Sequence, residues 1–380
     1  MSSSTEIQNF YADDPSTSPC YTENLTALRT RSSIQEEMSR DYMANLRFGR
    51  PFETPVDAIL LAAGERTRMR PLSYTTSKPM LPVANRPLLA ILAENLSNAG
   101  FRSITIVISP ANQSLIREFF ANHPISNKTT LKFVVQEQTL GTGHALLVAR
   151  QAADSEIVFA MAGDNYLPTE FLCRMVKFHT KHRPEVTMAL KRVPLKVISS
   201  LSSVILTPRG YVTRIIEKPK PQEVLSSVAA TAAYTFERGL FDILSKISRS
   251  DRGEYEVPTA FQQIIEMNGR IMGLEANEWD HISNPEDLWR INMQRTRTNC
   301  IDESATIGKG SRLKHCVIGG RVTVGEDSRL GHCLVLAGTV VPARSLHDNS
   351  VLYNQKGTEL EVVSFSGSIM RSSPYDVRNG

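Results

Sequence analysis

The chain has 380 residues, 41% of them hydrophobic and 22% charged, which is enough for two or three domains with buried cores. Lys and Arg number 43 against 39 Asp and Glu, so the net charge of +4 demands no nucleic-acid partner and any cationic site must be local. Neither a run of roughly 18 apolar residues nor an apolar core at the N-terminus is present, so no membrane partner and a cytoplasmic location are expected. The cysteines Cys20, Cys173, Cys300, Cys316 and Cys333 have neither a CxxC pair nor metal-site spacing, and read as free thiols.

Residues 1–54 begin MSSSTEIQNFYADDPSTSPC, too polar to bury a core, and read as a disordered extension; a short helix over 32–48, capped by Ser33 with Glu36, is compatible with it. From Val56 the texture changes. VDAILLAAG is a buried strand running into a glycine turn, and PLLAILAENLSNAGF is an amphipathic helix stopped at Gly100. Next come SITIVIS as strand, SLIREFFANH as helix, TLKFVVQE as strand, TGHALLVARQAA as helix and EIVFAMAGD as strand. Strands separated by helices imply βαβ crossovers and a mostly parallel sheet covered on both faces. Sites in such sheets lie at the carboxyl ends of the strands.

The chain changes again after Ser304. ATIGKGSRLKHCVIGGRVTVGEDSRLGHCLVLAGTVV places Ile307, Leu313, Ile318, Val324, Leu330 and Leu336 five or six residues apart, which predicts two to three coils of a parallel β-helix, with a Gly-rich meander as the alternative. The expected domains are therefore 55–298, 299–357 and a polar tail over 358–380.

The chemistry concentrates in LAAGERTRMRPLSYTTSKPMLP, residues 61–82. A strand, then Gly64, then cations at a parallel sheet's carboxyl edge suits a triphosphate, since glycine lets backbone N–H groups approach phosphate and arginine binds it bidentately. Taken alone, a solvated basic loop explains it equally well. Further segments end at the same edge. Asp164 in GDN is a candidate Mg²⁺ ligand, or else a helix cap. QEQTLGTGHA offers Gln136 for a base edge and a Gly-rich loop for a flat ring. IIEKPKP ends with Glu217, an acceptor for hydroxyls, beside Lys218, a donor for phosphate.

Together, LAAGxxTRMRPLSxxTSKPMLPVxxRP, Q(x)3LGTGHA, AGDN, EKP and GEYEVPTAFQQII with a following W(x)5PEDL resemble the sugar-1-phosphate nucleotidylyltransferase family over residues 56–298. The tail is similar to the left-handed β-helix of many members. The fold implied is a Rossmann-like α/β nucleotidyltransferase domain with a mixed, mostly parallel sheet, followed by a short left-handed β-helix. The resemblance implies that Leu61, Ala62, Ala63, Gly64, Gln136, Gly141 and Thr142 bind the nucleotide. Arg68, Lys78 and Asp164 would be the catalytic set, Gly163, Glu217 and Lys218 would bind the acceptor, and Asp164 would hold Mg²⁺. The implied partners are a nucleoside triphosphate, UTP or dTTP first and GTP second, and a sugar or cyclitol 1-phosphate; a homo-oligomer is expected.

The departures are also informative. Arg66 stands where relatives have a second glycine, Ser202-Ser203 where they have an aromatic-Gly pair, and Ala230-Thr231-Ala232 where they have Asn-x-Gly. The family's W-x-D-x-G reads Trp279-Asp280-His281-Ile282-Ser283 here, which replaces a second metal-binding Asp by His281 unless a one-residue shift restores Asp280. Two readings follow: an enzyme with an unusual acceptor, or a non-catalytic relative that binds a nucleotide sugar as a signal.

Overall fold

The computed structural model describes residues 52–64, 69–72, 76–355 and 359–366. The 32–48 helix, Cys20, Arg66 and Arg68 lie outside them.

The strands and helices form where apolar periodicity puts them. The sheet strands are β1 (Val56–Leu61), β2 (Ser103–Ile108), β3 (Thr130–Val135), β4 (Ile157–Ala162), β5 (Val186–Arg192), β6 (Ser202–Leu206), β7 (Val212–Glu217), β8 (Val228–Glu237) and β9 (Ile271–Glu275). They make one sheet in the order β7-β6-β8-β4-β1-β2-β3, with β5 pairing β8 and β9 pairing β5. The pairs β1/β2, β1/β4, β2/β3 and β5/β9 are parallel, whereas β8 runs antiparallel to β4, β5 and β6. Strand β2 is buried along its whole length, as a strand covered on both faces must be.

Helix α1 (Leu88–Ala99) packs on α4 (Thr169–His182) over one face. Helix α3 (Thr142–Ala149) packs with α5 (Val257–Glu266) and the short helix Leu240–Leu244 over the other, while α2 (Gln113–Ala121) bridges β2 and β3. Leu146, Phe236, Phe241 and Phe261 are fully buried in the second layer. Burying each such side chain contributes about 2–3 kcal/mol, so the parallel core rests mainly on apolar area. At the amino end of the strands, buried Asp57 accepts from Arg102, Ser103 Oγ and the backbone N–H of Asp154 and Ser155. That cluster ties β1, β2 and the approach to β4 together opposite the functional edge.

Helix α6 (Pro285–Arg295), capped by the Asn284 side chain on Asp287 N–H, leads into the tail. The tail is a parallel β-helix of three short strands per coil, consistent with the left-handed class. Cys300 pairs with Val317, Val317 with Leu334 and Leu334 with Val351, so each coil is 17 residues. Three coils are complete, and Glu361–Ser364 closes the fourth by pairing antiparallel with Ser350–Tyr353. Ile318, Val324 and Leu330 stack inside as predicted, but Val335, not Leu336, continues the Ile318 column into Leu352. The step from Leu330 is five residues rather than six, and a one-residue slip exchanges inner and outer faces. The coils dock on the sheet domain through polar clamps: Trp289 Nε1 donates to His332 O at 2.7 Å and Asn85 Nδ2 to Ile318 O at 2.8 Å. Cys173, Cys300, Cys316 and Cys333 are free thiols.

Candidate active site

The carboxyl ends of β1, β3 and β4 open into a cleft of about 480 Å³. Leu61, Ala62, Ala63 and Gly64 line it from β1, Gln136 from the end of β3, Gly141 and Thr142 from the start of α3, and Gly163 with Asp164 from the end of β4. Lys78 enters from a 3₁₀ turn, Lys78–Met80, whose Pro79 is buried and whose Met80 N–H donates to Ser77 O. The proline holds the turn rigid and aims the lysine. Its Nζ reaches Asp164 Oδ2 at 2.5 Å.

Two glycines are demanded by close approach. A Cβ on Gly163 would lie 2.7 Å from Leu61 O, where the chain leaves β4 alongside the end of its parallel neighbour β1. Gly141 has φ +100°, and a Cβ there would lie 2.6 Å from Tyr255 O. Tyr255 and Gly141 are locked together because Tyr255 N–H donates to Leu140 O and Gly143 N–H to Tyr255 O. The Arg252–Gly253–Glu254 loop also lines the cleft, although no role was read from its sequence. Its signal is the GEYEVP string, which reads as a family match without assigning that loop a function. Gln136 is buried, and its amide nitrogen lies 3.2 Å from Gly141 O and 3.0 Å from His144 Nδ1, so it braces the Gly loop as well as facing the cleft.

A second, smaller pocket of about 180 Å³ adjoins the first, sharing Leu61, Thr142, Ala162 and Asp164 with it. It contains Ser202, Glu217, Lys218, Ala230, Thr231, Tyr234 and His281. Ser202 Oγ donates to Glu217 Oε2, and Lys218 Nζ lies 4.0 Å from Glu217 Oε1. Lys218 takes a left-handed backbone, φ +45°, held by its N–H on Leu201 O at 2.7 Å. Such strain in a non-glycine residue persists where surrounding structure imposes it. Burial, with the Glu217 charge adding to it, pushes the Tyr234 hydroxyl well above the usual phenol range, so it stays a neutral donor.

Asp164 sits where the two pockets meet. Burial alone would raise its pKa, but the Lys78 charge and the bonding of His281 outweigh it and hold the carboxyl well below the usual range. Asn165 Nδ2 donates to its Oδ1 at 2.7 Å, so Oδ2 is the oxygen facing Lys78 and, at 3.7 Å, His281 Nε2. The family position next to it is resolved by a two-stranded ribbon that pairs Asp280 with Tyr166 and His281 with Asn165. This register turns Asp280 away: Arg290 Nη1 and Arg295 Nη2 of α6 donate to its carboxylate at 3.3 and 3.1 Å. Asp280 as a metal ligand is therefore corrected, because two arginines hold its oxygens outside both pockets.

A divalent cation at the junction would find one carboxylate, Asp164, and one imidazole, His281. The carboxylate suits a hard cation carried in on a triphosphate, since Mg²⁺ is usually held by one or two carboxylates plus substrate oxygens. The second position does not suit Mg²⁺, because hard cations prefer oxygen. Among the described residues, no group of three His, Cys, Asp or Glu side chains could close around a metal.

A mixed α/β sheet with a two-compartment cleft at its carboxyl edge, crossed by a lysine and an aspartate, defines a nucleotide-handling protein of the doubly wound class. The nucleotidyl transferase family model matches residues 57–298, and the chain belongs to that family. It is 30% identical over 241 residues to the Bifunctional protein GlmU of Methanococcus maripaludis (strain C7 / ATCC BAA-1331), a match covering 62% of this chain and 54% of that one. It is 27% identical over 233 residues to the UTP–glucose-1-phosphate uridylyltransferase AglF of Haloferax volcanii, covering 61% and 93%. The chain thus spans about half the length of the GlmU relatives it matches. A crystal structure of UDP-glucose pyrophosphorylase complexed with UDP-glucose shares the fold, with a TM-score of 0.57 at 22% identity over 63% of this chain and 97% of that one.

Proposed function

We propose that the chain is a nucleotidylyltransferase that joins a nucleoside triphosphate to a sugar or sugar-like 1-phosphate. The observation that carries this reading is the meeting of two unequal pockets at the Lys78–Asp164 pair, the larger sized for a nucleotide and the smaller for an acceptor. An acceptor phosphate oxygen forms a bond to the α-phosphorus while the bond from that phosphorus to the β-phosphate's bridging oxygen breaks, and pyrophosphate leaves. The acceptor phosphate is already ionised at neutral pH, so no general base is needed. Catalysis comes from holding the reactants in line and from neutralising charge at the α-phosphate.

Lys78 is the cation for the reacting phosphates, and Arg68 shares that role by its place in the motif. The backbone from Leu61 to Gly64 receives the triphosphate, Gln136 reads the base above Gly141 and Thr142, and Gly163 contacts the acceptor beside Asp164. Glu217, oriented by Ser202, accepts from acceptor hydroxyls, and Lys218 binds the acceptor phosphate. Asp164 is the residue that would hold a divalent cation, whose chemistry is to neutralise developing charge on the phosphates. UTP or dTTP is the preferred triphosphate and GTP the next. AglF, a relative named for UTP, supports that order. Ser202 and the Ala230–Ala232 segment replace the usual sugar-contacting residues, which favours an altered acceptor such as a deoxy or amino sugar or a cyclitol phosphate. Exposed Ile301, Val340 and Leu346 on the β-helix support assembly as a homo-oligomer.

Pyrophosphate release, measured with four triphosphates crossed against hexose and cyclitol 1-phosphates, tests the proposal; turnover with at least one pair is expected. Because His281 stands beside Asp164, a second reading exists, a regulatory relative that binds a nucleotide sugar without turning over. Silence on every pair, together with tight nucleotide-sugar binding, would establish it.

A further inference from the structure

We propose that His144 is a positioning residue: it fixes the side-chain amide of Gln136 so that the cleft takes bases with a ring N–H on their pairing edge and refuses those with a bare ring nitrogen there. Uracil, thymine and guanine are of the first kind, cytosine and adenine of the second. The inference rests on the reading that the larger cleft holds a nucleoside triphosphate with Gln136 at its base.

Which end of the Gln136 amide faces the cleft is decided by what surrounds the other end. Gly141 O is a carbonyl oxygen and only accepts, so the atom 3.2 Å from it is the amide nitrogen, Nε2. The same nitrogen lies 3.0 Å from His144 Nδ1. Both amide hydrogens are used when Nδ1 carries no proton, which makes the neutral ring the tautomer protonated at Nε2. A proton on Nδ1 would instead set two donors against each other. The buried Gln136 side chain lines the cleft, and among the described residues its Oε1 bonds nothing. The base therefore meets an acceptor alone. Uracil N3–H and guanine N1–H supply the hydrogen that this oxygen lacks. Cytosine N3 and adenine N1 set a lone pair against it and leave a buried acceptor unsatisfied, which costs about 10–100-fold in affinity.

The two acceptors that orient the amide are fixed to one residue, Tyr255. Its backbone N–H donates to Leu140 O at 2.8 Å, just before Gly141, and its carbonyl accepts from Gly143 N–H at 2.8 Å, just before His144. The His144 ring, in the first turn of α3, lies 6.5 Å from the Tyr255 ring with planes 33° apart. Arg249 Cζ lies 5.2 Å from the centroid of that tyrosine and holds it in turn. Such supporting contacts hold a recognition group within the narrow range of geometry that selectivity needs.

The test is equilibrium binding of UTP and CTP to the full chain, run beside pyrophosphate release. The two bases have the same ring size and differ on the edge that Oε1 meets, so their affinity ratio reads the orientation of the amide. The wild type is expected to bind UTP about 10–100-fold more tightly than CTP. His144→Leu removes one acceptor, frees the amide to turn over, and should lower that ratio about tenfold. His144→Asn puts a carbonyl oxygen where Nδ1 stands and should restore most of it. Loss of packing alone would weaken both nucleotides alike and leave the ratio where it was. Long-range ¹⁵N correlation spectra should show the neutral His144 ring protonated at Nε2. Equal affinity for UTP and CTP in the wild type overturns the inference, as does a ring protonated at Nδ1 or a ratio unchanged in His144→Leu. Because the wild type alone supplies the first two results, a variant that fails to fold does not protect the proposal. A ratio that depends on His144 in a chain that releases no pyrophosphate with any acceptor upholds the inference and refutes the transferase reading. Pyrophosphate released as readily from CTP as from UTP does the reverse, so the two fail separately.

Discussion

Lys78 Nζ lies 2.5 Å from Asp164 Oδ2 across 86 residues of sequence, joining the motif after β1 to the end of β4 at the junction of both pockets. The Lys78 ammonium holds the Asp164 carboxylate in its charged form and in place. Replacing Asp164 by Ala or Lys78 by Ala should each lower turnover by about 10²–10³-fold, the range for losing a preorganised charge at a reacting centre. The double variant should fall far less than the product of the two, since the residues act as a unit. Pyrophosphate release measures this; wild-type rates in Asp164→Ala would sink the transferase assignment.

In the proposed function Lys218 binds the acceptor phosphate before and during reaction. Lys218→Ala should raise the acceptor KM by about tenfold while kcat changes much less, the pattern for lost uniform binding. An unchanged KM would mean that the acceptor phosphate lies elsewhere.

Gly141 tests the packing of the nucleotide loop. At φ +100°, with Tyr255 O 2.6 Å from any added Cβ, Gly141→Ala forces the loop off the Glu254–Tyr255 backbone. A loss of about 1–3 kcal/mol is expected, with a raised KM for the triphosphate. Chemical denaturation and initial rates check the two effects separately.

Asp57 governs acid stability. Burial would raise its pKa, but bonds from Arg102, Ser103 and two backbone N–H groups hold it well below the usual carboxylate range. A lowered folded-state pKa contributes stability that is fully present above the unfolded value of about 3.9 and is lost as the pH falls below it. Asp57→Asn should cost about 2–4 kcal/mol at pH 7, since it leaves buried donors mismatched. It should also flatten the loss of stability as the pH falls below about 4, read from urea midpoints at each pH.

The β-helix docks through Trp289 and Asn85. Asn85→Ala should cost about 1–3 kcal/mol, because Cys300 O and Ile318 O each lose the Asn85 amide as a donor. Melting followed in both domains should then separate into two transitions; a single unchanged transition would contradict the clamp.

The order of strands and helices from Val56 to Asp164 was readable because apolar period and turn residues are local properties of the chain. The carboxyl-edge site followed, since parallel strands bring sequence-distant ends such as Gly64 and Asp164 to one rim. Harder to read were positions where a single residue of register decides the face. Val335 rather than Leu336 points into the coils because one step is five residues. His281 rather than Asp280 faces Asp164 because of its pairing with Asn165. Gln136 could be nominated as a base reader from its motif, but its bracing of Gly141 depends on a loop fold that no local pattern encodes.

The sequence by itself determined the element order from Val56 to Asp164 and the family, and it nominated the cations and carboxylates of the candidate site, because spacing along the chain and side-chain chemistry suffice for those. Only the tertiary structure decided which of two adjacent residues stands beside Asp164. Arg290 and Arg295, on a helix ten and fifteen residues further on, draw the Asp280 carboxylate outward, and Trp279 stacks the His281 ring into the pocket. A charge goes where its partners are, and partners are set by packing.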